Sequence, residues 1–93
     1  ITKAQLLVYH LGRLKDDGKM VFQQVSMAKQ NNCTMARDVA RMAREILGAN
    51  GITEDYSPMR HMANIESVYT YVGTHEMHTL ILGQEVTGIA AYD

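Results

Sequence analysis

Apolar residues recur at helical spacing in four successive stretches of the sequence. The first stretch carries its stripe at three- and four-residue intervals: Ala4, Leu7, Leu11 and Leu14. The segment DDGK (Asp16 to Lys19) follows, and it contains Gly18, the residue type that most often ends a helix. The pattern therefore predicts a first helix that opens with the sequence, has no N-cap of good quality, and ends at this segment.

A second, longer stripe predicts the longest helix of the chain. Its members are Val21, Val25, Ala28, Met35, Val39, Met42 and Ile46. The stripe runs until Gly48, which predicts a helix of about 28 residues and about 42 Å in length. The segment NNCT (residues 31–34) is poor helix material, so we expect a kink or a thinning there.

Four basic residues of this long helix share its polar side: Lys29, Arg37, Arg41 and Arg44. A solvent-exposed face is the favoured interpretation, and a basic surface for phosphates is the alternative. Residues 1–48 hold eight Lys/Arg against four Asp/Glu, whereas residues 49–93 hold one Arg against six acids. The two halves should therefore attract, which suits helices packed side by side in one unit.

Two further helices are predicted in the second half of the chain. Ser57 followed by Pro58 resembles a helix start, with a hydroxyl cap and a proline at the first helical position. Gly73 then breaks the pattern, and Thr74 caps a fourth helix with Glu76 in its first turn. The stripes of these helices comprise Met59, Met62, Ile65 and Tyr69, and then Met77, Leu80, Ile81 and Ile89. Together the patterns predict an all-α antiparallel helical bundle, a single domain over residues 1–93.

Composition restricts the class of protein further. Hydrophobic residues make up 46% of the 93-residue sequence and charged residues 20%, which is typical of a globular chain. The net charge of −1 gives no reason to expect nucleic acid as a partner. No run approaches the roughly 18 apolar residues of a membrane span, and no basic-then-apolar leader opens the sequence. The single Cys33 fits a reducing compartment, and we expect no membrane association and no secretion.

The residues with catalytic or metal-binding chemistry give weak signals. In HEMH (residues 75–78) the two histidines are three residues apart, whereas the zinc protease motif needs four, so surface histidines are the expectation and no metal is predicted. Cys33 is expected to be a core or interface thiol. The breaks at Gly48 and at Gly73–Thr74 each lie beside a helix end, where free N–H groups suit a phosphate or a carbonyl oxygen.

Three segments of the sequence resemble the C-terminal helical domain of acyl-CoA dehydrogenases, and in particular that of glutaryl-CoA dehydrogenases. They are LGRLKDDGK, AKQNNCTMARDVARMAREILGANGI and YSPMRHMANIESVYTYVGTHEMHTLILGQEVTGI. The resemblance covers nearly the whole chain. It implies a bundle that is incomplete at its N-terminal side, without the domains that hold most flavin contacts. It also implies oxidation of acyl-CoA thioesters at the α and β carbons by an FAD enzyme.

The catalytic base of the family is missing from the matching position. In the family pattern the base is the Glu of a Tyr-Glu-Gly-Thr sequence, and the matching residues are Tyr71, Val72, Gly73 and Thr74. Valine cannot accept a proton, so we assign no catalytic residue. The resemblance implies substrate contacts for Tyr71, Val72 and Gly73, and the Val72 backbone N–H matches the donor that polarises the thioester carbonyl.

The resemblance also implies cofactor contacts and an assembly. FAD contacts are implied for Glu45, Ile46, Leu47, Gly48 and Ala49, in a loop that reaches the FAD of a neighbouring subunit, and for Thr74 and Glu76. The implied assembly is a homo-oligomer, a tetramer in the family. We expect FAD in the full-length context and no tightly bound FAD on this chain alone. The implied location is the cytoplasm in bacteria or the mitochondrial matrix in eukaryotes.

Two functions remain open from the sequence. The first is the C-terminal portion of an FAD-dependent acyl-CoA dehydrogenase, inactive alone. The alternative is a non-catalytic helical oligomerisation module derived from that family, which Val72 favours. Flavin-binding sequence upstream of Ile1 in the reading frame would indicate the first, and a start codon there would indicate the second.

Overall fold

A computed structural model describes residues 1–92, which form four α-helices and one short 3-10 helix. These are α1 (Thr2–Asp16), α2 (Phe22–Ile46), the 3-10 helix (Gly48–Ile52), α3 (Ser57–Thr70) and α4 (His75–Thr87). No β-strand occurs within the described residues. The predicted all-α fold is therefore confirmed, and the last residue of the predicted domain, Asp93, lies outside the described part.

The long helix α2 is the centre of the fold, and the other three α-helices run antiparallel to it. Early α1 contacts the middle of α2, where Asn32 donates to the carbonyl of Ala4 at 3.4 Å. Helix α3 lies along the C-terminal half of α2 and α4 along its N-terminal half, where Gln23 donates to Glu85 at 3.0 Å. Thus α3 and α4 follow one another along α2, interrupted opposite its middle by residues 71–74.

The ends of the helices follow the local sequence with two exceptions. The Gln24 side chain accepts from the Val21 N–H at 3.0 Å and closes the start of α2. Gly18 and Gly88 have φ of 68° and 74°, the left-handed geometry that ends a helix. The predicted Ser57 cap is wrong, because α3 already begins at Ser57 and the structure shows no side-chain cap there. Because Gly88 follows α4, the predicted stripe residue Ile89 lies outside the helix.

The predicted kink at residues 31–34 is not a break, because α2 is helical from Phe22 to Ile46. Contacts with neighbouring helices stabilise this poor helix-forming segment. Asn32 reaches the α1 backbone, and the Cys33 thiol lies 4.0 Å from the Val68 carbonyl of α3. Cys33 is buried, as expected for a core thiol. Tertiary contacts outweigh intrinsic propensity here.

Burial is shallow across the described residues. The buried apolar residues are small: Ala4, Ala28 and Cys33. The predicted α1 stripe faces α2, with Leu7, Leu11 and Leu14 half-buried behind Ala4. The α2 stripe is only partly confirmed, since Ile46 is 85% and Met42 59% exposed. The molecule measures 47 × 31 × 18 Å, so it is thin in one direction, and many large apolar side chains stay exposed.

Candidate functional site

The break between α3 and α4 has an unusual backbone at two consecutive residues. Tyr71 ends α3, with its N–H bonded to the Ser67 carbonyl at 2.9 Å. Val72 has φ of 54° and Gly73 has φ of 91°. Val72 is the one non-glycine residue among residues 1–92 with a positive φ. Such a φ is a genuine outlier for a β-branched residue, because Cβ crowds the following carbonyl.

Thr74 closes the break and starts α4, as the sequence predicts. Its hydroxyl accepts from the Met77 N–H at 3.2 Å. Glu76 lies exposed in the first turn, next to the positive end of the helix dipole. The cap and the first-turn acid place a well-defined helix start directly after the strained residues.

Lys29 holds the break from the side of α2. Its ammonium donates to three consecutive carbonyls: those of Tyr71, of Val72 at 3.3 Å and of Gly73 at 2.5 Å. The same ammonium lies 5.8 Å from the centre of the Tyr71 ring, within cation–π range. Several hydrogen bonds that fix the backbone in this way can hold one residue in a strained conformation. Lys29 is half-buried against the break, so the expectation of a solvent-exposed face holds for it only in part.

The Lys29 contacts decide where the amide groups of the break point. The described peptide bonds are trans, so each C=O and the N–H of the same peptide point in opposite directions. The Tyr71 and Val72 carbonyls face Lys29, and the N–H groups of Val72 and Gly73 therefore face away from α2. Neither N–H has a hydrogen-bond acceptor among residues 1–92. With Val72 81% exposed, this outward face is open to a ligand.

A buried histidine forms the floor beneath Gly73. A Cβ added at Gly73 would lie 2.8 Å from Nε2 of His78, so a larger residue does not fit there. His78 is 9% exposed, and its ring nitrogens have no hydrogen-bond partner within the described residues. The sequence-based expectation of two surface histidines is wrong for His78. The cause is the direction of α4, which turns its inner face toward α2.

His75 belongs to a stack at the edge of the break. Its ring lies parallel to that of Tyr69, with centroids 4.4 Å apart. The guanidinium of Arg37 lies 4.7 Å from the centre of the Tyr69 ring and pairs with Glu66 at 3.0 Å. Glu66 is thus a paired acid. Within residues 1–92 no three His, Cys, Asp or Glu side chains gather in a way that could hold a metal ion.

The second set of predicted cofactor residues lies at the far end of α2. Glu45 is 3.9 Å from Arg41 and 3.6 Å from Arg44, so part of its charge is engaged locally. Ile46 is exposed, Leu47 is half-buried, and Gly48 and Ala49 open the 3-10 helix. From Lys29 to Ile46 the α2 axis runs about 25 Å. The structure therefore groups Tyr71, Val72, Gly73, Thr74 and Glu76, and it keeps Glu45–Ala49 apart from them.

Sequence reasoning missed two residues beside the break, Lys29, which binds its carbonyls, and His78, which is buried beneath Gly73. Lys29 follows the same helical spacing as the arginines of α2, so nothing local distinguishes it. One feature of the sequence does set Lys29 apart: it lies two helical turns before the arginines, in the N-terminal half of α2. The residues that pack against this half of α2 cannot be identified before the position of α4 is known.

The family of the chain follows from comparison with known proteins. Residues 1–87 match the model of the acyl-CoA dehydrogenase C-terminal domain. The chain belongs to the acyl-CoA dehydrogenase family. A short-chain specific acyl-CoA dehydrogenase from Megasphaera elsdenii is 31% identical over 83 residues, which are 89% of this chain and 22% of that protein. This acyl-CoA dehydrogenase domain thus spans about a fifth of that relative's length.

Solved structures give the same assignment for this acyl-CoA dehydrogenase domain. A glutaryl-CoA dehydrogenase from Mycobacterium smegmatis has a TM-score of 0.90 and 56% identity, over 95% of this chain and 23% of that one. A glutaryl-CoA dehydrogenase from the same organism, in complex with FADH2, has a TM-score of 0.90 and 50% identity over the same shares. Among the described residues, no helix is both long and apolar enough to cross a membrane.

Proposed function

We propose that this chain is the C-terminal portion of an FAD-dependent acyl-CoA dehydrogenase of the glutaryl-CoA type. The observation that carries the proposal is the break between α3 and α4, where the Val72 N–H points outward and has no acceptor among residues 1–92. A preorganised N–H of this kind stabilises negative charge on a thioester oxygen. Its position in the chain is the one that the family pattern assigns to that donor.

The residues around the break divide the work of binding. The Val72 N–H donates to the substrate carbonyl, and Tyr71 and Gly73 border the same face. Thr74 and Glu76, at the start of α4, contribute one edge of the flavin site, where free N–H groups suit the oxygens of the cofactor. When bound, FAD supplies the acceptor for the hydrogen that leaves the β carbon as hydride.

The loop at Glu45–Ala49 serves a different flavin. Because it lies about 25 Å along α2 from the break, one chain does not present both sets to a single flavin ring. A neighbouring copy of the chain resolves this separation, with the loop of one subunit at the FAD of the next. The proposed assembly is therefore a homo-oligomer whose flavin sites each use two subunits.

Removal of the α-proton is the step that this chain does not support. Val72 holds the position of the family base and carries no proton acceptor. Glu66 is paired with Arg37, and His78 is buried behind Gly73. We therefore propose that an enzyme with this chain binds FAD and acyl-CoA but oxidises the thioester very slowly.

A chimera tests the proposal. The Mycobacterium smegmatis glutaryl-CoA dehydrogenase receives this chain in place of its equivalent segment, and anaerobic flavin absorbance is followed after addition of glutaryl-CoA or butyryl-CoA. The valine form should bleach slowly and Val72→Glu about 10² to 10⁴ times faster, the usual contribution of a general base. Val86→Glu is the matched control, because Val86 is 85% exposed and distant from the break.

The two ways of failing are distinct. Rapid bleaching by the valine form would place the base elsewhere. An FAD-loaded chimera that Val72→Glu leaves unbleached would mean that the break no longer presents the thioester correctly.

The alternative function, a non-catalytic helical oligomerisation module, rests on a separate observation. Many large apolar side chains of the described residues are exposed, among them Leu6, Val8 and Tyr9 of α1. Leu6 and Tyr9 are three residues apart and share one face of α1, and exposed apolar faces of this kind mark interaction sites. A chimera that assembles normally but binds no acyl-CoA would favour this alternative over the enzyme.

A further inference from the structure

We propose that Lys29 is a positioning residue that aims the Val72 N–H at the thioester carbonyl and strengthens it as a donor. The inference rests on the proposed function, since it concerns the same outward face of the break. No motif in the sequence marks Lys29, and its role comes from its three carbonyl contacts across 42 to 44 residues of chain.

The first step of the argument is conformational. Three consecutive carbonyls that converge on one point repel one another unless a cation lies between them. The converging carbonyls also come with a positive φ at Val72, which costs about 1–2 kcal/mol for a residue with a Cβ. Hydrogen bonds to a charged donor are among the strongest available, so the ammonium can hold this arrangement. Without it, the peptides are free to rotate and the N–H loses its aim.

The second step is electronic. The Tyr71 carbonyl and the Val72 N–H belong to one peptide group. A cation bound to the oxygen draws electron density through the resonant C–N bond and makes the N–H a better donor. Lys29 therefore acts on the substrate through the peptide, although its own ammonium lies on the opposite side. A neutral side chain of similar length would keep the packing and lose this effect.

The third step concerns the platform that carries the ammonium. Lys29 projects from α2, the helix that contacts every other helix of the fold, so its root is fixed. The neighbouring Gln30 donates to Thr79 of α4 at 2.5 Å and fixes α4 against α2 one turn beyond the break. The ammonium is therefore held at a constant distance from the break, as a positioning residue requires.

The experiment measures polarisation directly in the FAD-loaded chimera. Because the valine form turns over slowly, acyl-CoA labelled with ¹³C at the thioester carbonyl stays intact while its infrared stretching band is recorded. The parent should shift this band to lower wavenumber relative to free acyl-CoA. Lys29→Met should return it toward the free value, Lys29→Arg should keep part of the shift, and the control Lys15→Met should keep all of it.

Kinetics supply the second readout. In the Val72→Glu background, Lys29→Met should lower kcat by about 10²-fold, the usual cost of losing one oxyanion donor, with little change in KM. A purely structural role would lower the melting temperature and leave both the band position and kcat of the folded, FAD-loaded protein unchanged.

The outcomes separate this inference from the proposed function. A shifted band in the parent that Lys29→Met leaves unchanged would overturn the role of Lys29 alone. A parent that binds acyl-CoA without any shift would overturn the proposed function as well. If Lys29→Met does not retain FAD, the same band is measured in Lys29→Gln, whose side chain is neutral. A band shift in Lys29→Gln equal to that of the parent would refute the need for a positive charge at this position.

Discussion

The strain at Val72 leads to a quantitative prediction about stability. A residue with a Cβ in the left-handed region costs about 1–2 kcal/mol, which glycine does not pay. Val72→Gly removes this cost, but glycine raises the conformational entropy of the unfolded chain, which destabilises the fold by about 0.5–1 kcal/mol. Since Val72 is 81% exposed, the lost burial is small, about 0.3–0.6 kcal/mol by comparison with a fully buried valine. The midpoints of these ranges give a net stabilisation of about 0.3 kcal/mol for Val72→Gly, so its free energy of unfolding should stay close to that of the parent.

Val86→Gly is the matched control that isolates the strain. Val86 is 85% exposed and lies in α4. It therefore shares the entropic and burial losses of Val72→Gly without any strain to relieve. We expect Val86→Gly to lower the free energy of unfolding by about 1 kcal/mol. The difference between the two variants should then equal the strain, about 1–2 kcal/mol.

The assay is urea unfolding of the 93-residue chain, followed by circular dichroism at 222 nm at one fixed chain concentration. With a slope of about 1 kcal/mol per molar urea, the two midpoints should differ by about 1 M or more. Equal losses in Val72→Gly and Val86→Gly would refute the reasoning, because they would show that the valine at the break is not strained.

Three further predictions follow from the same contacts. Gly73→Ala should lower the free energy of unfolding by about 1–3 kcal/mol, because the added Cβ meets His78. Gly83→Ala has open space around it in α4 and should raise the free energy of unfolding by up to about 1 kcal/mol. Equal effects of the two variants in urea unfolding would contradict this. Thr74→Ala should lower the free energy of unfolding by about 1 kcal/mol, whereas Thr74→Ser should keep the stability of the parent because serine also caps a helix. A Thr74→Ala variant as stable as the parent would show that the cap does not stabilise the fold. The chain should self-associate through its exposed apolar faces, and a monomeric mass by light scattering at micromolar concentration with sharp thermal unfolding would disprove this.

Much of the fold and part of the site could be predicted because their causes are local. Helical periodicity revealed all four helices, and the Gly73–Thr74 pair marked the break and the start of α4. The proposal that Val72 holds the position of the family base rests on one residue and on the family pattern. The Ser57 cap and Ile89 were misplaced by a residue or two because helix ends depend on weak local competition between backbone bonds and side-chain caps.

Local periodicity shows which residues share a helix face, but it does not show what that face contacts. The sequence by itself determined the all-α class and the family, since both are written in short-range patterns. The tertiary structure alone decided that α4 covers the N-terminal half of α2. That placement turns Lys29 from one of four basic residues on a polar face into the cation that holds three carbonyls, and it buries His78 beneath Gly73. These roles depend on contacts between residues that are distant in the chain. The Lys29 charge is stabilised by backbone oxygens, and every residue has such an oxygen, so no sequence pattern identifies them.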